Sequence, residues 1–119
     1  AAGETGVGEG AGTVVNVPLP PGVGDEGYAA VMTEVAWPIV RRYHPDLILV
    51  SAGFDAHWSD PLAMMALSLR GYAEIAAELV AMAESLGSGQ VYRASQPYAA
   101  GVEEGLEHLG VLAPSAASR

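Results

Sequence analysis

The 119-residue chain is 50% hydrophobic and 16% charged, a balance that suits one folded domain and excludes an intrinsically disordered one. It contains no cysteine, so a disulfide framework, a thiolate metal site and a Cys nucleophile are excluded. Its 14 acidic residues outnumber its 5 basic ones, leaving a net charge of −9; Arg41, Arg42, Arg70, Arg93 and Arg119 form no stripe, which disfavours nucleic acid as a partner.

No apolar stretch approaches the roughly 20 residues needed to cross a bilayer. The opening Ala1-Ala2-Gly3-Glu4 has neither the basic region nor the apolar core of a signal peptide. The expectation is a cytoplasmic protein with no membrane partner.

Gly3, Gly6, Gly8, Gly10 and Gly12 interrupt the opening segment, which has no buried-face period and reads as a loop. Domains seldom open on such a loop running into a core strand, so the start reads as cut from something longer. Thr13-Val14-Val15-Asn16-Val17 is β-branched and predicts a strand, ended by Pro18, Pro20 and Pro21. Asp25 can cap the helix that follows. Tyr28, Val31, Met32, Val35, Ile39 and Tyr43 recur at helical spacing over residues 26–44. Pro38, inside that pattern, removes a backbone hydrogen bond and predicts a kink or a split. His44-Pro45-Asp46 ends the helix.

Leu47-Ile48-Leu49-Val50 is short and continuously apolar, as strands buried on both faces of a parallel sheet are. Ser68 can cap a second helix, with Leu69, Tyr72, Ile75, Leu79, Met82 and Leu86 at 3–4 spacing. Gly87-Ser88-Gly89 closes it. Val102, Leu106 and Leu109 suggest a short third helix, and residues 113–119 a frayed tail. The order strand, helix, strand, helix predicts an α/β fold. Residues 1–112 are expected to form a partial parallel sheet with flanking helices, incomplete because two strands do not make a doubly wound sheet.

The densest chemistry lies in residues 51–62. Asp55, His57 and Asp60 are three potential metal ligands just past the carboxyl end of a buried strand, where open α/β sheets place ligand sites. Carboxylate and imidazole together suit Zn²⁺ or Fe²⁺. A plain reading stands beside this one: loop aspartates bond nearby backbone, and a loop His is often just exposed. The glycines at 6, 8, 10 and 12 are not a phosphate loop, because they precede a strand rather than open a helix, and the chain has no lysine. Tyr92 and Tyr98 are either half-buried aromatics or phenols able to donate to a developing oxyanion. His44 complements a helix dipole. His108, Glu103, Glu104 and Glu107 read as a solvated face, and Trp37 and Trp58 as packing residues.

Asn16-Val17-Pro18-Leu19, then Asp46-Leu47-Ile48-Leu49-Val50-Ser51-Ala52-Gly53-Phe54-Asp55-Ala56-His57, then Asp60-Pro61-Leu62 resemble the histone deacetylase superfamily. That family includes acetoin-utilisation proteins and acetylpolyamine amidohydrolases. The glycine-rich opening and Gly71-Tyr72 fit the same pattern, and the resemblance runs from about Gly6 to about Leu86. It implies a piece of the three-layer arginase/deacetylase-type fold, and a parent enzyme in which catalytic Zn²⁺ is held by an Asp-x-His pair and a second Asp.

The second Asp stands in the Asp-Pro-Leu position, here Asp60. By the same resemblance Asp55, His57 and Gly53 shape the loop or support the ligands. The family's Asp-x-His-His-Gly-Asn strand end and its His-His acid–base pair do not occur; both lie upstream in the family, so the chain resembles roughly its last third. The family's Glu-Gly-Gly-Tyr is also missing. Gly89-Gln90-Val91-Tyr92 stands there instead, with only Tyr92 matching the catalytic Tyr.

Three readings follow. The chain is a fragment of a zinc-dependent deacetylase acting on acetyl-lysine or acetylpolyamine amides, inactive by itself. Or it is a non-catalytic remnant that binds or oligomerises, with self-association through an unpaired strand edge. Or it is a small independent metal protein using Asp55, His57 and Asp60.

Overall fold

The computed structural model describes residues 3–87 together with Leu106 and His108. The first helical region is split where Pro38 falls. Helix α1 spans Asp25–Val31, a π-helical turn spans Met32–Ala36, and helix α2 spans Trp37–Tyr43. Pro38 has no N–H, and its ring would meet the carbonyl four residues back in a regular α-helix. The wider π turn just ahead of it absorbs that conflict. Helix α2 ends at His44, which adopts the left-handed conformation at φ 53°. On this stretch the Trp37 indole donates to Glu78 Oε2 at 2.5 Å, and the Arg41 guanidinium lies 4.8 Å from the Trp37 ring centroid.

Helix α3 spans Leu69–Ser85. Ser68 caps it as its position predicts, the hydroxyl accepting from the Gly71 N–H at 3.1 Å. Met82 is buried on the inward face, only 1% exposed, and α3 packs against α1. Of the third helix, only Leu106 is described, with its neighbour His108; both are helical. The tail at 113–119 lies outside the described residues.

The two expected strands are not in a sheet. Neither 13–17 nor 47–50 carries a ladder, and among the described residues the only β-type pairings are isolated parallel bridges, Gly24 with Ala66 and His57 with Leu67. β-Branched and apolar runs favour a strand only when a neighbour pairs with them. Neither run lies in a ladder here: Val14 N–H donates to Thr5 C=O at 3.3 Å, while Val15 is 57% exposed and Leu49 66%. The described residues thus show single-bridge contacts between loops and do not bear out the partial sheet.

Those bridges build a small three-segment array. Gly22 N–H donates to Met64 C=O at 2.8 Å and Ala66 N–H to Val23 C=O at 2.9 Å. On the other edge, Leu67 N–H donates to Ala56 C=O at 3.1 Å and Trp58 N–H to Leu67 C=O at 3.0 Å. Segment 64–67 thus lies between 22–24 and 56–58, and Leu67 at its end is 1% exposed.

Asp25 departs from its expected role. Gly24 is the cap residue of α1 and makes no side-chain cap. The Asp25 carboxylate instead accepts from Ser68, from its N–H at 2.8 Å and its hydroxyl at 2.6 Å. The Ser68 hydroxyl and then its N–H hold the Asp25 carboxyl below its ordinary value of 3.8, and the charge of Arg70 adds to them against the effect of burial. Gly71 completes the contact. A Cβ there would sit 2.6 Å from Leu67 Cδ1 and closer still to Asp25 Oδ1, so only glycine lets the carboxylate lie against the first turn of α3.

Leu67 and Met82 are the only large side chains that are fully buried among the described residues, whereas Val14, Leu49, Val50, Phe54, Trp58, Leu62 and Met64 are all exposed. Apolar surface of this extent drives association. The 119-residue chain alone is therefore expected to self-associate. Sedimentation should show concentration-dependent oligomers and calorimetry no sharp unfolding transition. A monomer with a sharp cooperative melt would contradict this.

Candidate metal-ligand loop

Residues 51–62 turn twice. His57 N–H donates to Phe54 C=O at 3.3 Å, and Asp60 N–H to His57 C=O at 2.8 Å. Pairing of Ala56 and Trp58 with Leu67 straps the middle of the loop to a fully buried residue. Asp60 sits at the far end of that strap. Its Oδ1 accepts from the Leu62 N–H at 2.8 Å, a local turn that fixes the carboxylate. Its second oxygen has no hydrogen-bond partner among the described residues.

The other two candidate ligands are turned to local work. His57 Nδ1 lies 2.7 Å from Ser59 Oγ and 3.4 Å from the Ser59 N–H. The ring also lies against Trp58, with centroids 5.5 Å apart. Asp55 is exposed and folds back over Gly53, where an added Cβ would stand 2.8 Å from Asp55 Oδ1. Among the described residues no group of three His, Cys, Asp or Glu side chains is placed to hold a metal ion. Asp55, His57 and Asp60 therefore do not make a ligand set of their own. A catalytic zinc site takes three protein ligands, and the described residues by themselves do not fit one.

Beneath the loop lie two tyrosines that periodicity marked only as helix-face residues. The Phe54 and Tyr72 rings are 5.2 Å apart, and the buried Tyr72 hydroxyl has no hydrogen-bond partner among the described residues. Burial pushes the Tyr28 phenol up, with Tyr72 and Asp55 adding to it. A cleft between α1 and α3, lined by Asp25, Met32, Glu74, Ile75 and Glu78 among others, contains no residue of the loop. Tyr92 and Tyr98 lie outside the described residues. No helix among the described residues is long and apolar enough to cross a membrane.

The sequence profile of the histone deacetylase domain matches residues 1–94, and the chain belongs to that family. It is 49% identical over 88 residues to a probable deacetylase of Archaeoglobus fulgidus, covering 74% of this chain and 24% of that protein. It is 40% identical over 87 residues to the chloroplastic histone deacetylase 14 of Arabidopsis thaliana, covering 73% and 21%. The backbone superposes on the solved HD domain of HDA15 with a TM-score of 0.64 at 30% identity, covering 93% of this chain and 38% of that one. The chain thus spans about a quarter or less of the length of these curated relatives, and its backbone follows part of a histone deacetylase domain.

Proposed function

We propose that this chain is a segment of a zinc-dependent deacetylase that hydrolyses acetyl-lysine or acetylpolyamine amides, and that Asp60 is its contribution to the metal site. The observation that carries this reading is the Asp60 carboxylate, held through one oxygen with the other uncommitted, inside a stretch matching the histone deacetylase domain. Zinc, when bound in the whole protein, supplies a Lewis acid at the amide carbonyl and an activated water. This chain's own part is to present one oxygen donor and to hold the loop that carries it. A cationic substrate such as a polyamine suits the excess of acidic residues, which steers positive ligands at long range.

The test uses the protein expressed from its complete coding sequence. Acetate release from acetyl-lysine peptide or acetylpolyamine should stop with a chelator and return with added zinc. Absence of release from both substrate classes, with the protein folded and zinc present, would contradict the reading.

A further inference from the structure

Tyr72 stands in the first turn of α3, its N–H bonded to the C=O of the cap residue Ser68 at 3.1 Å. Its ring centroid lies 5.2 Å from that of Phe54, with the planes tilted by 49°, within the range that aromatic pairs favour. The Tyr72 hydroxyl is buried, so the far end of the ring is packed and the side chain is locked in place. Burial, then Tyr72 and Asp55, push the Tyr28 phenol up, which puts α1 beside the same corner.

Phe54 opens the first turn of the 51–62 loop: its C=O accepts from His57 N–H at 3.3 Å, a long bond. Further along, Ala56 and Trp58 are strapped to Leu67 by backbone bonds. Phe54 and Asp55 precede that strap, and the Phe54 side chain is 70% exposed. A side chain rather than backbone meets this corner, the Tyr72 ring.

We propose that Tyr72 is a positioning residue for the corner at Phe54 and Asp55, its ring seating the Phe54 ring so that the turn behind it is presented in one place. The consequence for catalysis rests on the deacetylase reading. The contact serves whichever of Asp55, His57 and Asp60 acts in the whole protein, because all three follow Phe54 in one loop.

The test is a double-mutant cycle on Phe54→Ala and Tyr72→Ala in the protein expressed from its complete coding sequence, with Tyr72→Phe and Met82→Ala beside them. Either single variant should speed amide exchange at His57 about 10-fold, relative to Trp58 and Leu67, whose N–H groups belong to the strap. The kcat for acetate release should fall by up to about 100-fold with KM little changed, because a displaced turn costs orientation rather than binding. The double variant should lose no more than the worse single one, since the two side chains act through one contact. Tyr72→Phe keeps the ring and should rescue both readouts; the hydroxyl it removes has no hydrogen-bond partner among the described residues. Met82→Ala opens a cavity elsewhere on α3 and should lower stability while leaving His57 exchange and kcat within about twofold. Phe54→Ala carries the comparison if Tyr72→Ala does not fold.

Additive losses in the double variant, failure of Tyr72→Phe to rescue, or equal acceleration at His57, Trp58 and Leu67 would overturn the proposal. Should the wild type release no acetate, the deacetylase reading fails, and the exchange cycle still decides whether Tyr72 seats the turn.

Discussion

Purified alone and supplied with zinc, the 119-residue chain should release no acetate from an acetyl-lysine peptide. A catalytic zinc needs three protein ligands and an open position for water. Asp60 offers one donor, and no group of three ligating side chains forms among the described residues. Without a held metal there is neither a lowered water pKa nor a polarised carbonyl. Acid–base help is absent as well: the His-His pair of the family pattern does not occur in this sequence, and a positioned base is worth about 10²–10⁴-fold. His57 does not replace it, since Nδ1 is engaged by Ser59. The assay is acetate release with metal content measured in parallel. Chelator-sensitive turnover with one tightly bound zinc per chain would revive the independent metal protein built on Asp55, His57 and Asp60.

In the protein expressed from its complete coding sequence, Asp60→Ala should reduce hydrolysis to background. Removing the carboxylate takes away the donor itself, and the Leu62 N–H that held it loses its acceptor. His57→Ala should do less. It loses the Ser59 contact and the packing on Trp58, which loosens the turn carrying Asp60 without removing a donor. A supporting change of that kind costs about 10–100-fold, leaving measurable turnover. The check is kcat/KM for both variants beside the wild type. Equal loss in the two would make His57 a ligand.

The helices were legible because their causes are local. Tyr72, Ile75, Leu79 and Met82 set the inward face of α3 within a few turns, Leu69 at its start being exposed instead, and Ser68 caps the same turn it precedes. Pro38 forecast a break, and the chain answered with a π turn just before it. The strands were not legible in the same way. Val14, Val15 and the run at 47–50 have strand-forming side chains, but a ladder depends on a neighbour that composition cannot place.

The same limit governs the site. The Asp-Pro-Leu resemblance puts Asp60 forward, whereas spacing alone ranks it equally with Asp55 and His57. Each of the three has a local contact: Asp60 Oδ1 accepts from Leu62 N–H, His57 Nδ1 lies against Ser59, and Asp55 is folded over Gly53. Asp25 carried only a helix-start signal. Its partner Ser68 lies 43 residues away, and no local pattern links a helix-start aspartate to the cap of a later helix. The one hint was Gly71, a glycine inside a helical pattern, where its lower propensity points to close packing.

The measurement that bears most directly on the central claim is bound zinc per chain in the protein expressed from its complete coding sequence, for the wild type, Asp60→Ala and His57→Ala. The account predicts about one zinc in the wild type, none retained by Asp60→Ala after dialysis, and zinc still bound in His57→Ala with weakened affinity. Full zinc in Asp60→Ala would contradict it.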